Sequence, residues 1–189
     1  MIPDRGARPF GLGWPNVISG LRLLLAPFVV VLILWESETA DAVAAGLFGA
    51  GAVSDRLDGY LARRTGVVTR TGAWLDPLAD KVLLFSAVVT LAALGGFPAW
   101  AAAVILVREV AITLLRIRLG TRGRSLPASP LAKLKTGGQQ VAILLYLVPG
   151  AQVLDPVPFA AAVVAVVLTV WSGLEYLRPM GRRAESEMR

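Results

Sequence analysis

The sequence predicts an all-α integral membrane protein, a bundle of six transmembrane helices with an N-terminal interfacial segment. Three observations predict it. Of the 189 residues, 56% are hydrophobic and only 17% charged, with a mean hydropathy of +0.66, whereas a soluble domain is roughly half apolar. Six apolar runs come near the roughly 20 residues that a membrane span demands. The connections between those runs alternate, one set rich in Lys and Arg and the other free of them, which is the signature of a threaded chain.

Residues 3–14, with Pro3, Pro9 and three glycines, read as a loop or a short surface helix ahead of the first span. Candidate spans follow at about 18–35, 42–63, 73–94, 97–119, 131–149 and 157–177. The first, third and fifth connections hold Glu36, Glu38 and Asp41, then Gly95 and Gly96, then Asp155 with prolines. None contains Lys or Arg. The opposite side holds Arg5 and Arg8, then Arg63, Arg64 and Arg70, then Arg116, Arg118, Arg122, Arg124, Lys133 and Lys135, and finally Arg178, Arg182, Arg183 and Arg189. The positive-inside rule assigns this side, with both termini, to the cytoplasm, and makes the chain a multi-pass protein of the cell membrane. Trp14 and Trp74 near inner ends and Trp35 and Trp100 near outer ends suit an interfacial belt. Six spans use most of the chain, so residues 1–189 are expected to form a single membrane domain. Arg182 to Arg189 read as a frayed, solvated tail. A cleaved leader is the competing reading of the first run, since Arg5 and Arg8 precede it and Ala40-Asp41-Ala42 resembles a cleavage site. Asn16 and Arg22 interrupt that run in a way an export signal does not need.

The net charge of +6 and pI near 10.5 are explained by topology and by attraction to anionic membrane lipid, and no nucleic acid is expected. Cys and His are both absent. Disulfides, thiolate chemistry and the commonest general base are thereby excluded. Catalysis, where present, must rest on carboxylates, Lys, Arg, Tyr or hydroxyls.

The unusual residues are four aspartates inside the second and third spans. Ionisable groups at membrane depth are costly and mark cavities or partners. Asp55 and Asp58 are three apart, Asp76 and Asp80 four apart, so each pair shares a helix face. Asp58 and Asp55 lie about 8 and 12 Å from the inner end at Arg63 or Arg64, and Asp76 and Asp80 at similar depths from Gly72. The short turn between the spans makes them antiparallel neighbours, so four carboxylates are expected at one level. Four like charges in a low-dielectric site need compensation. Two hard divalent cations supply it, Mg²⁺ first and Mn²⁺ second, in a two-metal site suited to phosphoryl chemistry. The competing account is a set of helix-end caps and ion pairs with Arg56, Arg63 and Lys81. Gly46, Gly49, Gly51 and Ala52 allow close helix approach, while Gly59 and Ala62 leave ligand space beside the acids.

These residues form a recognisable string. Asp55-Arg56-Leu57-Asp58-Gly59-Tyr60-Leu61-Ala62-Arg63, eight further residues, then Gly72-Ala73-Trp74-Leu75-Asp76-Pro77-Leu78-Ala79-Asp80 resembles the CDP-alcohol phosphatidyltransferase motif DxxDGxxAR–x8–GxxxDxxxD, with every fixed position filled. Pro15-Asn16, Ser19 and Arg22 resemble that family's approach to its first span. Leu75 to Lys81, Arg108-Glu109, and Lys133, Lys135, Thr136 and Gln139 resemble its phosphatidylglycerophosphate synthase branch. The resemblance covers about residues 14–149; the last span carries no motif.

The resemblance implies CDP-diacylglycerol as donor, attack by an acceptor hydroxyl on its β-phosphate, and CMP as leaving group. It implies that Asp55, Asp58, Asp76 and Asp80 bind the two metals and that Asp80 also accepts the hydroxyl proton. Asp58, Gly59, Ala62, Arg63 and Gly72 would line the cytidine diphosphate. Arg108, Arg116, Lys133 and Lys135 are expected to hold the phosphate of a small acceptor, glycerol 3-phosphate, although Arg108 can also pair locally with Glu109. The family's frequent dimers imply a homodimer. A cardiolipin synthase taking phosphatidylglycerol, or a synthase taking inositol phosphate, are the alternatives of the same fold. A cation channel or transporter is the alternative of another class, but it does not need Gly59, Ala62 and Gly72 at fixed distances from the acids.

Overall fold

A computed structural model describes the backbone of residues 14–65, 70–120, 130–151 and 156–187, with side chains described over 17–54, 78–119, 131–151 and 156–175. Among the described residues the chain is all-helical, with six helices and no strand. These are α1 (Trp14–Leu34), α2 (Glu38–Thr65), α3 (Arg70–Ala93), α4 (Ala99–Gly120), α5 (Pro130–Leu147) and α6 (Val157–Glu187). Each sequence-predicted span lies on one of them. The segment expected at the interface, residues 3–13, lies outside the described residues. Arg182 to Glu187 continue α6 instead of forming the expected loose tail, because Arg, Ala and Glu are strong helix formers.

The ends are set by local chemistry. Glu36 takes a positive φ of 48° to turn the chain out of α1. Ser37 then caps α2, its Oγ accepting from the Ala40 N–H at 3.2 Å and its carbonyl from the Asp41 N–H at 2.9 Å. Gly95, at φ 75°, ends α3 in the left-handed conformation that a residue without Cβ adopts freely. The Pro98 carbonyl starts α4 by accepting from Ala101 and Ala102.

The chain divides into two compact units. One comprises residues up to Leu91 with Leu147–Pro149, the other Ala92–Tyr146 with the residues from Gly150 onward. In the first, α1 packs on α2. Ala26, Val29 and Ile33 of α1 and Ala40, Ala44, Ala45 and Phe48 of α2 are buried. The alanines let the helix backbones approach closely, as small residues do between membrane helices. In the second unit α4 packs on α6, with Ala101, Ala102 and Ile105 buried on one and Ala162 and Ala165 on the other. Phe97 meets Tyr146 edge-on at 4.8 Å between ring centroids, and Trp100 meets Phe159 at 6.4 Å.

The polarity runs opposite to that of a soluble protein. Leu21, Leu24, Phe28 and Val31 of α1, with Trp35 just beyond its end, are exposed, while Ser19 and Arg22 are buried at 2%. On α6, Val164, Val167, Val170, Trp171 and Leu174 are exposed, and Thr169 and Ser172 are completely buried. Two described helices, over Val17–Leu34 and Val157–Glu175, are long and apolar enough to cross a membrane, and only 28% of each window is buried. A core helix of a soluble protein would show the reverse. Several hydroxyls are satisfied within their own helices: Ser86 donates to the Leu83 carbonyl, Thr90 to Ser86, Thr113 to Glu109 and Thr136 to Ala132. Such internal pairing makes a polar side chain tolerable where water is scarce.

Candidate active site

The motif helices α2 and α3 belong to the first unit, and one contact fixes their register. A Cβ on Gly51 would lie 2.6 Å from Leu83 Cδ2 and 3.8 Å from Arg22 Cγ, so α2 is approached at Gly51 as closely as a glycine permits. Gly51 lies 14 residues before Thr65 and Leu83 lies 13 residues after Arg70. Both are therefore about 20 Å from the connection-side ends of their helices. Equal distances from a shared connection mean antiparallel neighbours.

That register carries the aspartates. Asp55 and Asp58 lie four and seven residues along α2 from Gly51, and Asp80 and Asp76 three and seven residues back along α3 from Leu83. By helical periodicity alone, those spacings fall near one face of each helix. By helical rise, Asp58 and Asp76 are about 10 Å from the connection-side ends, and Asp55 and Asp80 about 15 Å. Both helices extend slightly further toward their connection than the sequence predicts. The side chains of Asp55, Asp58, Gly59, Ala62, Arg63, Gly72 and Asp76 lie outside the described residues; that of Asp80 is half-buried. Among the described residues no three acidic groups come together, and three of the four expected ligands are not in that set. The donor chemistry fits a hard divalent cation: carboxylate oxygens only, two from each of two adjacent helices.

Arg22 of α1 reaches the same neighbourhood. It is 2% exposed, and its Nη2 donates to Ser54 Oγ at 3.5 Å, immediately before the first motif aspartate. Ser54 in turn donates to the Gly51 carbonyl at 3.0 Å.

The second unit holds a separate charged cluster. Arg108 of α4 donates through Nε to the Thr169 carbonyl at 3.2 Å and through Nη2 to Ser172 Oγ at 2.8 Å, both on α6. Its Nη1 donates to Glu109 Oε1 at 3.1 Å, and Lys135 Nζ of α5 donates to that same oxygen. Gln139, one turn beyond Lys135, donates to Thr169 Oγ1 at 2.8 Å. One carboxylate thus bridges two cations, with side-chain exposures of 12% for Arg108, 9% for Glu109 and 6% for Lys135. Of the four expected acceptor-binding residues, Arg108 and Lys135 are brought together and Arg116 and Lys133 are exposed on α4 and α5. Lys133 is two residues from Lys135, a spacing that puts it on another face.

Sequence reasoning assigned no role to Thr169 or Ser172 and took Glu109 only as a local partner of Arg108. The available signal was a pair of hydroxyls three residues apart in an otherwise apolar span.

Comparison with known proteins is decisive on the family. The sequence model of the CDP-alcohol phosphatidyltransferase family matches residues 12–171. The chain belongs to the CDP-alcohol phosphatidyltransferase family. A probable phosphatidylglycerophosphate synthase of Mycobacterium tuberculosis is 39% identical over 168 residues, covering 86% of this chain and 78% of the relative. A CDP-diacylglycerol–glycerol-3-phosphate 3-phosphatidyltransferase of Bacillus subtilis is 38% identical over 177 residues, 86% of this chain and 92% of the relative. The protein of that same name from Pseudomonas fluorescens is 36% identical over 171 residues. The family match runs through both units and includes Thr169, in the helix for which the sequence alone offered no motif.

Proposed function

We propose that the chain transfers a phosphatidyl group from CDP-diacylglycerol to glycerol 3-phosphate, releasing CMP and forming phosphatidylglycerol phosphate, a step of phospholipid biosynthesis. Relatives named for this reaction, aligned over most of the chain, support the donor and acceptor together. The observation that carries the catalytic reading is the complete aspartate motif, borne on two continuous helices.

Asp55, Asp58, Asp76 and Asp80 would hold two divalent cations, Mg²⁺ or Mn²⁺. When bound, these supply the positive charge that offsets the diphosphate and the charge developing on it. Asp80 accepts the proton of the acceptor hydroxyl as its oxygen forms a bond to the β-phosphorus. The bond from that phosphorus to the bridging oxygen breaks, and CMP carries the electron pair away. Gly59, Ala62 and Gly72 give the cytidine diphosphate room, and Arg63 pairs with its phosphates. Arg108 and Lys135 bind the phosphate dianion of the acceptor, while the exposed Arg116 and Lys133 attract it from solution. The chain acts as one membrane domain of six spans, with termini and active site on the cytoplasmic side of the cell membrane, and as a homodimer. The basic connections, the lipid-suited exposed faces of α1 and α6 and the family's dimers support this arrangement.

The test is CMP release by the purified protein given CDP-diacylglycerol, Mg²⁺ and one acceptor at a time. Glycerol 3-phosphate should support turnover. Release with inositol phosphate or phosphatidylglycerol but not glycerol 3-phosphate would overturn the acceptor. Asp58→Asn should lower turnover by at least about 10³-fold, since it removes a charged metal ligand, while elution and unfolding stay those of the parent. Retained activity in that variant would overturn the metal site.

A further inference from the structure

We infer that α6 supplies the positioning residues for acceptor binding: Thr169, Ser172 and Gly173 fix the orientation of the Arg108 guanidinium. The inference rests on the reading that Arg108 binds the acceptor phosphate.

A guanidinium recognises phosphate through a planar fork, so its orientation decides how well two N–H groups meet two oxygens. An Arg side chain carries about 2 kcal/mol of rotamer entropy, and a site that holds the fork in advance avoids losing it on binding. Here the Nε and Nη2 edge is taken up by α6, on the Thr169 carbonyl and Ser172 Oγ. Two hydrogen bonds on adjacent nitrogens define the plane of the group. Nη1 is turned toward Glu109 Oε1, the oxygen shared with Lys135. The edge held by α6 is therefore distinct from the corner that points at the second cation.

The supporting groups are themselves fixed. Ser172 donates its one hydroxyl hydrogen to the Thr169 carbonyl at 3.0 Å and so presents only lone pairs to Arg108. Thr169 donates to the Ala165 carbonyl at 2.6 Å and accepts from Gln139 at 2.8 Å. Both side chains are completely buried. Gly173 completes the cradle. A Cβ there would lie 3.6 Å from both Cγ and Nε of Arg108, so the arginine stem lies across the glycine, and any side chain longer than a methyl would displace it. The opposite face of the helix carries Val164, Val167, Val170 and Trp171, all exposed.

The test is steady-state CMP release by the purified full chain, with glycerol 3-phosphate and CDP-diacylglycerol varied in turn. Removing one hydrogen bond to a charged group costs about 1.5–3 kcal/mol. Ser172→Ala should therefore raise the KM for glycerol 3-phosphate about 10-fold or more, with the KM for CDP-diacylglycerol within about twofold of the parent. Ser172→Thr, which keeps the hydroxyl, should restore most of the loss. Gly173→Leu should raise the same KM by a different route and serves where Ser172→Ala does not fold. Equal effects on both substrates, a fall in kcat alone, or no difference between Ser172→Ala and Ser172→Thr would overturn the inference. Arg108→Lys separates the two levels. If it raises the acceptor KM and Ser172→Ala does not, the positioning role fails and the acceptor reading stands. If Arg108→Lys leaves the acceptor KM unchanged, both fail.

Discussion

Glu109→Ala should be among the most destabilising single substitutions in the second unit. Glu109 Oε1 accepts from Arg108 and Lys135 at once, so its removal leaves two cations facing each other, each roughly nine-tenths buried. Both nitrogens lie within hydrogen-bond reach of one oxygen, which sets them about 5 Å apart. Two unit charges at that separation, with an effective dielectric constant near 20, repel by roughly 3 kcal/mol. The loss of each cation's own partner adds to this, in keeping with the 3–5 kcal/mol typical of breaking a buried ion pair. For a chain of this length, that is a fall in Tm of about 10 °C. Glu109→Gln keeps an acceptor oxygen and should lose less. Removing a second charge should help: Glu109→Gln with Lys135→Met should be more stable than the sum of the two single effects predicts, because a neutral pair replaces an uncompensated one. Thermal unfolding in detergent, followed by the emission of the five tryptophans, compares the four variants with the parent. A Tm for Glu109→Ala within about 3 °C of the parent, or strictly additive single and double effects, would refute the bridging role.

Two further outcomes follow from the geometry. Gly51→Ala places a methyl 2.6 Å from Leu83 Cδ2, and Leu83 is 3% exposed with little room to yield. Overpacking of about 1–3 kcal/mol exceeds the gain of up to about 1 kcal/mol in helix propensity, so Tm should fall by a few degrees and Leu83→Val in the same chain should recover part of it. The absence of Cys makes topology directly measurable: with Glu38→Cys and Arg118→Cys, both at exposed positions, a membrane-impermeant maleimide should label only the former in intact cells. The opposite pattern would invert the proposed orientation.

The six helices were legible because each span is bounded by its own chemistry. The apolar runs set the count, and Ser37, Gly95 and Pro98 mark ends that a single residue dictates. The ends that moved are those not set by the apolar run: α2 starts at the cap before it, and α6 continues past Pro179 and Gly181 through Arg182. Among the described residues, only α1 and α6 stand out by hydropathy. The four helices between them carry the aspartates or the Arg108, Glu109 and Lys135 cluster, and the charges that give them chemistry dilute their apolar character. The aspartate motif was readable from spacing alone, since three- and four-residue separations have one meaning on a helix. The cluster of Arg108, Glu109 and Lys135 was only half readable. Sequence pairs Arg108 with Glu109 as neighbours, but that Lys135 shares the same carboxylate oxygen is a fact of helix packing. So is the burial of Lys135 beside the exposure of Lys133.

One local device appears in both units and explains why serine stands where it does. Ser54 donates to the carbonyl of Gly51, three residues back, and accepts from Arg22; Ser172 donates to the carbonyl of Thr169, three residues back, and accepts from Arg108. A hydroxyl has one hydrogen, and in a helix the carbonyl three residues back is the nearest place to put it. Once it is there, the oxygen offers only acceptor lone pairs, and a guanidinium is all donor. The helix backbone thus converts an ambivalent hydroxyl into a fixed acceptor without placing a second charge at membrane depth. An aspartate in that place would add a carboxylate beside each arginine, whereas serine supplies an acceptor and no charge.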